Sequence, residues 1–271
     1  MPVLPLSELA ALVGDGVLLA LPPDNSLPPC ALVRELVRRG ARGLRLLGVP
    51  VSGYACDLLI GAGCVSSLQT SAASLGETGL APRFARALAD GTLTVIDATC
   101  PAIHTMLQAA EKGVPFMPLR GVLGSDLMAH RPDWRVLDNP FAPGDAILLL
   151  PALSPDIGAF HAACADGEGN VYVGRRRELA TIAHASRRTL VTVERIVPGN
   201  LLDDERMAAG TISGVYIEAV AVAPRGARPS ALLDEYPADP EHLAEYARLA
   251  RSDEGFREYL RRFVQASETA A

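Results

Sequence analysis

Gly113-Val-Pro-Phe-Met-Pro-Leu-Arg-Gly-Val-Leu-Gly-Ser-Asp126 reads as a short buried strand running into a loop of glycines, an arginine and an aspartate. A rigid apolar segment that ends in a polar, glycine-rich loop is how α/β proteins present a site. In such a loop the Arg120 guanidinium suits a carboxylate or phosphate, and a structural ion pair is an equal alternative. Gly124, Ser125 and Asp126 suit a helix cap or an anion held by backbone N–H groups. These four residues are candidate substrate-binding positions.

Outward from this stretch the pattern alternates strand and helix. Upstream, residues 102–112 have helical spacing closed by Gly113, and residues 93–96 form a strand before them. Residues 82–89 are helical, with Pro82 at the start and Gly91 after the end. Residues 17–21 and 44–47 are strands around a helix at 31–39 (Leu32, Val33, Leu36, Val37) that ends at Gly40. Residues 57–60 follow, then the tight Gly61-Ala62-Gly63. Downstream, 146–150 and 157–164 are strands, and Asp166-Gly167-Glu168-Gly169-Asn170 is a turn into 171–173. A helix at 178–184 precedes strands at 189–193 and 215–222, and the tail, about 240–271, is helical and amphipathic. Repeated βα units predict a Rossmann-like α/β fold, a mostly parallel sheet flanked by helices. No composition break marks a linker, so residues 1–271 are expected to form a single domain.

Composition narrows the function. The 271 residues are 49% apolar, yet no run reaches the ~18 residues of a membrane span. The N-terminus has no basic segment or clean cleavage site, so a cytoplasmic protein is expected. Net charge is −6, and 24 of the 25 basic residues are Arg. The runs Arg38-Arg39 and Arg175-Arg176-Arg177 are short and suit a solvated helix face, a phosphorylated ligand or a second protein chain; nucleic acid is not expected. Cys30, Cys56, Cys64, Cys100 and Cys164 are odd in number and lack CxxC spacing, which argues for reduced thiols and against a disulfide framework or zinc site. Dinucleotide, Walker A and G-x-S-x-G motifs are missing, and the five histidines are dispersed, so no metal or redox cofactor is implied.

Three further features carry possible chemistry. Gly61-Ala-Gly-Cys-Val-Ser-Ser67 is a small-residue loop that suits a ligand or a plain tight turn. Asp97-Ala-Thr-Cys-Pro-Ala-Ile-His104 lies at a strand end before a helix. Cys100 precedes Pro101 there, and a thiol at a helix N-terminus is either a reactive group or a buried structural one. His104 faces the same site from the first turn or packs in the core. His161 lies in an apolar strand and reads as structural.

These features, in this order, resemble the A (alpha) subunit of the family I coenzyme A transferases, especially the glutaconate CoA-transferase branch. The matching pieces are Ala31-Leu-Val-Arg-Glu-Leu-Val-Arg-Arg-Gly40, Asp57-Leu-Leu-Ile-Gly-Ala-Gly-Cys-Val65, Gly113-Val-Pro-Phe-Met-Pro118 with Leu123-Gly-Ser-Asp126, and Pro155-Asp156 with His161-Ala162. Ala165-Asp166 with Gly169-Asn170, Thr192-Val-Glu-Arg-Ile-Val197, Ala223-Pro224 with Gly226-Ala227, and Tyr236-Pro237 complete the set. The similarity spans about residues 7–250.

The resemblance implies a Rossmann-like chain that pairs with a separate B subunit in an α2β2 assembly, around a coenzyme A thioester substrate. It also implies that the catalytic glutamate lies on the B subunit, attacks the acyl-CoA, and forms first an anhydride and then a glutamyl-CoA thioester. Two departures bear on this chain. The corresponding chains of the transferases usually show a Glu-rich stretch around Asp97, and the ring-opening hydrolases of the family carry a glutamate at the position that aligns with Cys100. Here only Asp97 is acidic, so Asp97 and Cys100 are the candidate catalytic residues of this chain. The family's Gly-Gly-Phe loop after the first strand is replaced by Pro22-Pro-Asp-Asn-Ser-Leu-Pro-Pro29, which makes Asp24, Asn25 and Ser26 candidate substrate contacts or a plain surface turn. Three readings stay open at the level of sequence: transfer of CoA, hydrolysis or decarboxylation of an acyl-CoA, and a non-enzymatic regulatory role.

Overall fold

The computed structural model describes residues 2–232 and 234–265; the end of the expected helical tail, 266–271, lies outside the described residues. The chain runs α1 (Leu6–Ala11), β1 (Leu18–Leu21), α2 (Cys30–Arg38), β2 (Leu44–Gly48), α3 (Tyr54–Gly61), β3 (Val65–Thr70), α4 (Pro82–Ala89), β4 (Thr94–Asp97), α5 (Cys100–Glu111) and β5 (Phe116–Leu119). It continues through β6 (Arg135–Asp138), β7 (Ala146–Pro151), β8 (Ile157–Asp166), β9 (Val171–Tyr172), α6 (Arg177–Ala185), β10 (Arg188–Val197) and α7 (Glu205–Ala208). β11 (Thr211–Ile212), β12 (Ala219–Val222), α8 (Pro240–Leu249) and α9 (Asp253–Leu260) follow.

Seven parallel strands form the main sheet in the order β12-β10-β8-β1-β2-β3-β4, and β9 and β11 add antiparallel pieces at the end of β8. Alternating side chains feed two cores, as a parallel sheet covered on both faces requires. Leu19 and Leu21 join Leu44 and Leu46 under α1, α2, α3 and the C-terminal helices. Ala20, Leu47, Phe160 and Val191 point the other way, against Ile103 and Met106 of α5 and Leu179 and Ile182 of α6.

The chain winds outward from β1 to β4 in one direction, then returns beside β1 and winds the other way through β8, β10 and β12. The reversal between β1 and β8 is where an open α/β sheet leaves a crevice beyond the carboxyl ends of its strands.

Three expectations need correction. The opening stretch is not a buried strand of the parallel sheet. β5 is half-exposed and pairs antiparallel with β7, which also pairs with β6, making a separate three-stranded sheet. Leu148 and Leu150 of β7, with Trp134 and the half-buried Leu119 of β5, reach the α5–α6 core, so one face covers the core and the other faces solvent. Residues 57–60 lie in helix α3, because the apolar run is long enough to be buried on all sides of a helix. Of residues 215–222 only 219–222 are a strand; Gly214–Tyr216 is a 3-10 turn opened by Ser213, whose hydroxyl accepts from Val215 N–H.

Candidate active site

Three loops meet beyond the carboxyl ends of β1, β2 and β3 and line an open cavity of about 310 Å³. Asp24 and Asn25 come from the first loop, Val51, Ser52 and Gly53 from the second, and Ser74 and Gly76 from the third. The Asp24 carboxylate caps α3, accepting from Tyr54 N–H at 2.9 and 3.1 Å. A Cβ on Gly53 would lie 2.3 Å from that carboxyl, so only glycine permits the contact. Burial pushes the Asp24 carboxyl up to about 6, although the Tyr54 N–H pulls the other way. Asn25 is exposed and projects into the cavity rim, whereas Ser26 is buried and donates to Glu178 in the first turn of α6.

A second group stands at the ends of β3 and β4. Cys100 opens α5 and is the exposed cysteine; Cys30, Cys56, Cys64 and Cys164 are buried. Its Sγ lies 3.1 Å from Ser71 Oγ. Thr99 caps the helix by accepting from Ala102 N–H at 3.3 Å. Asp97 is exposed at the strand end, and its carbonyl accepts from Arg131 Nη1 at 3.0 Å. Arg131 is itself buried, paired with Asp133 and stacked 4.1 Å from the Trp134 ring, so it braces this edge. His104 follows Cys100 by four residues and shares its helix face. Burial holds the His104 imidazole below its ordinary range, against the opposing charge of Glu178.

The other candidates divide. Arg120 is 71% exposed, and its two terminal nitrogens donate to both carboxylate oxygens of Asp145. It lines an apolar groove of about 510 Å³ on the small sheet with Phe116, Leu137 and Phe141. Ser125 Oγ donates to Val122 O at 2.7 Å, and Asp126 opens a 3-10 turn, Asp126–His130, that leads into Arg131. Gly124 takes φ +77°, a left-handed conformation that favours glycine. The Gly61–Gly63 segment is the closing turn of α3 and leads into the amino end of β3, the opposite end of the strands from the cavity. Asn25 thus stands on the cavity rim, Ser26 is buried behind the first loop, Asp97 and Cys100 lie at the carboxyl end of the edge strand β4, and Arg120 is tied to the small sheet.

A cluster missed at the sequence level lies beside them. His161 is fully buried between Thr192 Oγ1 (2.9 Å from Nδ1) and Glu194 Oε1 (2.8 Å from Nε2), and its N–H donates to Leu27 O at 2.8 Å. A carboxylate only accepts, so Nε2 carries the proton and Nδ1 accepts from the Thr192 hydroxyl. Glu194 also accepts from Arg225 N–H, Gly226 N–H and Tyr236 OH. Burial pushes the Glu194 carboxyl upward, but these hydrogen bonds more than offset it and hold it below the carboxylate range. The set fixes the loop after β1 against β8 and β10. Its sequence signal was the Thr192-Val-Glu194 piece; Glu178 had none beyond an acid in a first helical turn. No group of three or more His, Cys, Asp or Glu among the described residues is placed to hold a metal ion.

The doubly wound sheet and its crevice define an α/β enzyme scaffold. The chain belongs to the coenzyme A transferase family, whose model matches residues 8–223. It is 31% identical over 256 residues to the A subunit of glutaconate CoA-transferase from Acidaminococcus fermentans, covering 87% of this chain and 78% of that one. The crystal structure of glutaconate coenzyme A-transferase from the same organism superposes with a TM-score of 0.89 at 28% identity, over 97% of this chain and 89% of that chain. The decarboxylase AibA/AibB, as its C56S variant, superposes with a TM-score of 0.84 at 30% identity, over 96% of this chain and 98% of that chain. An uncharacterized protein of Archaeoglobus fulgidus is 32% identical over 237 residues; the match takes in 86% of this chain but spans about half of that relative, 52%. No helix among the described residues is long and apolar enough to cross a membrane.

Proposed function

We propose that this chain is the A subunit of a two-subunit, cytoplasmic CoA-transferase that moves CoA between an acyl-CoA and a carboxylic acid. The observation that carries the reading is the strand-end cavity: three loops build one wall of a site with Asn25 on its rim, and Asp97 and Cys100 are exposed at the same, carboxyl end of the sheet. A partner B subunit, in an α2β2 assembly, closes the other wall and brings the nucleophilic glutamate. That carboxylate adds to the thioester carbonyl and expels CoA thiolate, leaving an acyl–glutamyl anhydride. The thiolate then adds to the glutamyl carbonyl, releasing the acyl group as its free acid and leaving glutamyl-CoA. The acceptor acid repeats both steps in reverse, so each bond broken is matched by one formed. In this cycle Ser71 orients the acid's carboxyl group by a hydrogen bond, Asn25 contacts the rest of the acyl chain at the rim, Ser26 fixes the loop through Glu178, and Asp97 and Cys100 face the reacting carbonyl. The CoA thioester is substrate, and no metal or redox group takes part. Gly124, Ser125 and Asp126 shape the loop that continues into the Arg131 brace.

The test is reconstitution. The complex of the two subunits is expected to exchange labelled acid into acyl-CoA and to accumulate a hydroxylamine-sensitive glutamyl thioester on the B subunit, while this chain by itself turns over nothing. Turnover by the isolated chain refutes the reading. A second reading, acyl-CoA decarboxylation or hydrolysis in the same cavity with Cys100 and Asp97 as thiol and proton carrier, is favoured by the AibA/AibB superposition. It predicts free CoA or CO₂ without an acceptor acid.

A further inference from the structure

We infer that the acyl recess of this chain selects short acyl groups without a second carboxylate, so that its acyl-CoA derives from a monocarboxylic acid. The inference rests on the CoA-transfer reading above. The 310 Å³ cavity is lined by backbone, neutral side chains and one acid: Asn25, Ser52 and Ser74 supply hydrogen-bonding groups, Val51 and Pro23 an apolar wall, and Asp24 a carboxylate. Neither Arg, Lys nor His is among the described residues that line it. Behind the first loop stands a second carboxylate, Glu178, reached through buried Ser26.

Arg120, the guanidinium that the sequence offers to a distal carboxylate, and Arg131, which the structure places at the end of β4, are committed elsewhere. Arg120 is bidentate to Asp145 on the small sheet. Arg131 is buried against Asp133, the Asp97 carbonyl and Trp134. A dicarboxylic acyl chain entering this recess would bring its free carboxylate towards Asp24, with Glu178 behind the loop and no guanidinium fork on this chain's wall to meet it, and like charges brought together repel. A neutral chain meets Val51 and Pro23, and a hydroxyl or carbonyl on it meets Asn25, Ser52 or Ser74. Specificity here comes from repulsion of the wrong partner as much as from attraction of the right one.

The experiment measures exchange of labelled butyrate with butyryl-CoA and of labelled glutarate with glutaryl-CoA, each by the intact two-subunit complex. The expected result is a kcat/KM at least tenfold higher for the butyryl pair. Asn25→Arg, on the exposed rim, is expected to move that ratio at least tenfold towards glutaryl, because it installs the missing cation without touching the core. Asp24→Asn is expected to move it the same way by a smaller factor. Equal or better exchange of glutarate by the native complex, or an Asn25→Arg ratio that does not move, overturns the inference while leaving CoA transfer standing. Absence of exchange with any acyl-CoA and acid pair overturns the transfer reading and the inference with it.

Discussion

Asp24 and Glu194 show how single carboxyls hold the crevice, and they titrate in opposite senses. Asp24 has its folded value raised to about 6 by burial, so the folded state binds the proton more tightly than the unfolded chain. Its contribution is therefore fully present below about pH 4 and is lost as pH rises through about 6. Asp24→Asn removes that loss: relative to the native chain it should gain roughly 1–3 kcal/mol on going from about pH 4 to about pH 7, read from denaturation midpoints at the two pH values. An unchanged difference would mean that Asp24 is not held in its buried cap. Glu194 is held low, so its contribution is present above the ordinary glutamate value and disappears as pH falls through its folded value. Glu194→Gln should cost about 2–4 kcal/mol at neutral pH and flatten the acid side of the stability profile, since it leaves His161, Tyr236 and two backbone N–H groups with a neutral acceptor in place of the carboxylate. At this scale local geometry was legible: that Asp97 ends a strand and that Cys100 opens a helix are local patterns. Glu178 and the Arg120–Asp145 pair were not, because each is made by partners 152 and 25 residues apart that only the fold brings together.

Elements were more legible than side-chain partners. The helix at 82–89 is fixed by Pro82 at its start and Gly91 beyond its end, and it occurs with those bounds. α3 was harder to read because its apolar residues lack amphipathic spacing: it is buried on nearly every side, between the sheet and the C-terminal helices. Those helices are held by a hydroxyl network as well as by apolar contact. Tyr246 OH donates to buried Asp57 at 2.7 Å, and Asp57 in turn caps α4 by accepting from Arg83 and Phe84 N–H groups. Tyr259 OH lies 2.8 Å from Tyr54 OH and 2.6 Å from His242 Nε2. One tyrosine thus ties α8 to α3, whose Asp57 caps α4, and another ties α9 to α3. Tyr246→Phe keeps the ring contacts but withdraws a donor from a buried carboxylate, and should cost about 1–3 kcal/mol in denaturant stability. A change below a few tenths of a kcal/mol would show that Asp57 is satisfied by its backbone donors alone.

Across the whole molecule, stability is distributed unevenly between the two sheets. β1, β2, β8, β10 and β12 each feed both cores, and β8 is buried along nearly all of its ten residues. The small sheet has one covered face. All four residues of β6 are exposed, β5 alternates exposed and half-buried, and Phe141, at 94% exposure, stands on the loop between β6 and β7. The opening stretch of sequence misled for this reason: a run such as Val-Pro-Phe-Met-Pro-Leu is equally apolar whether it ends in a two-faced parallel sheet or on a sheet with one open side, and burial is decided by what lies above it. Local opening free energies follow buried apolar contact, so hydrogen exchange should divide the molecule. Amides of β1, β8 and β10 should exchange only through global unfolding, whereas those of β6, and the β5 amides on its open side, should exchange with at least ~2 kcal/mol less protection. Leu150→Ala, which empties the contact between β7 and the α5–α6 core, should lower protection in β5–β7 more than in β8. Equal protection across both sheets, or a uniform fall in the variant, would mean that the small sheet unfolds only with the rest and is no separate unit of stability.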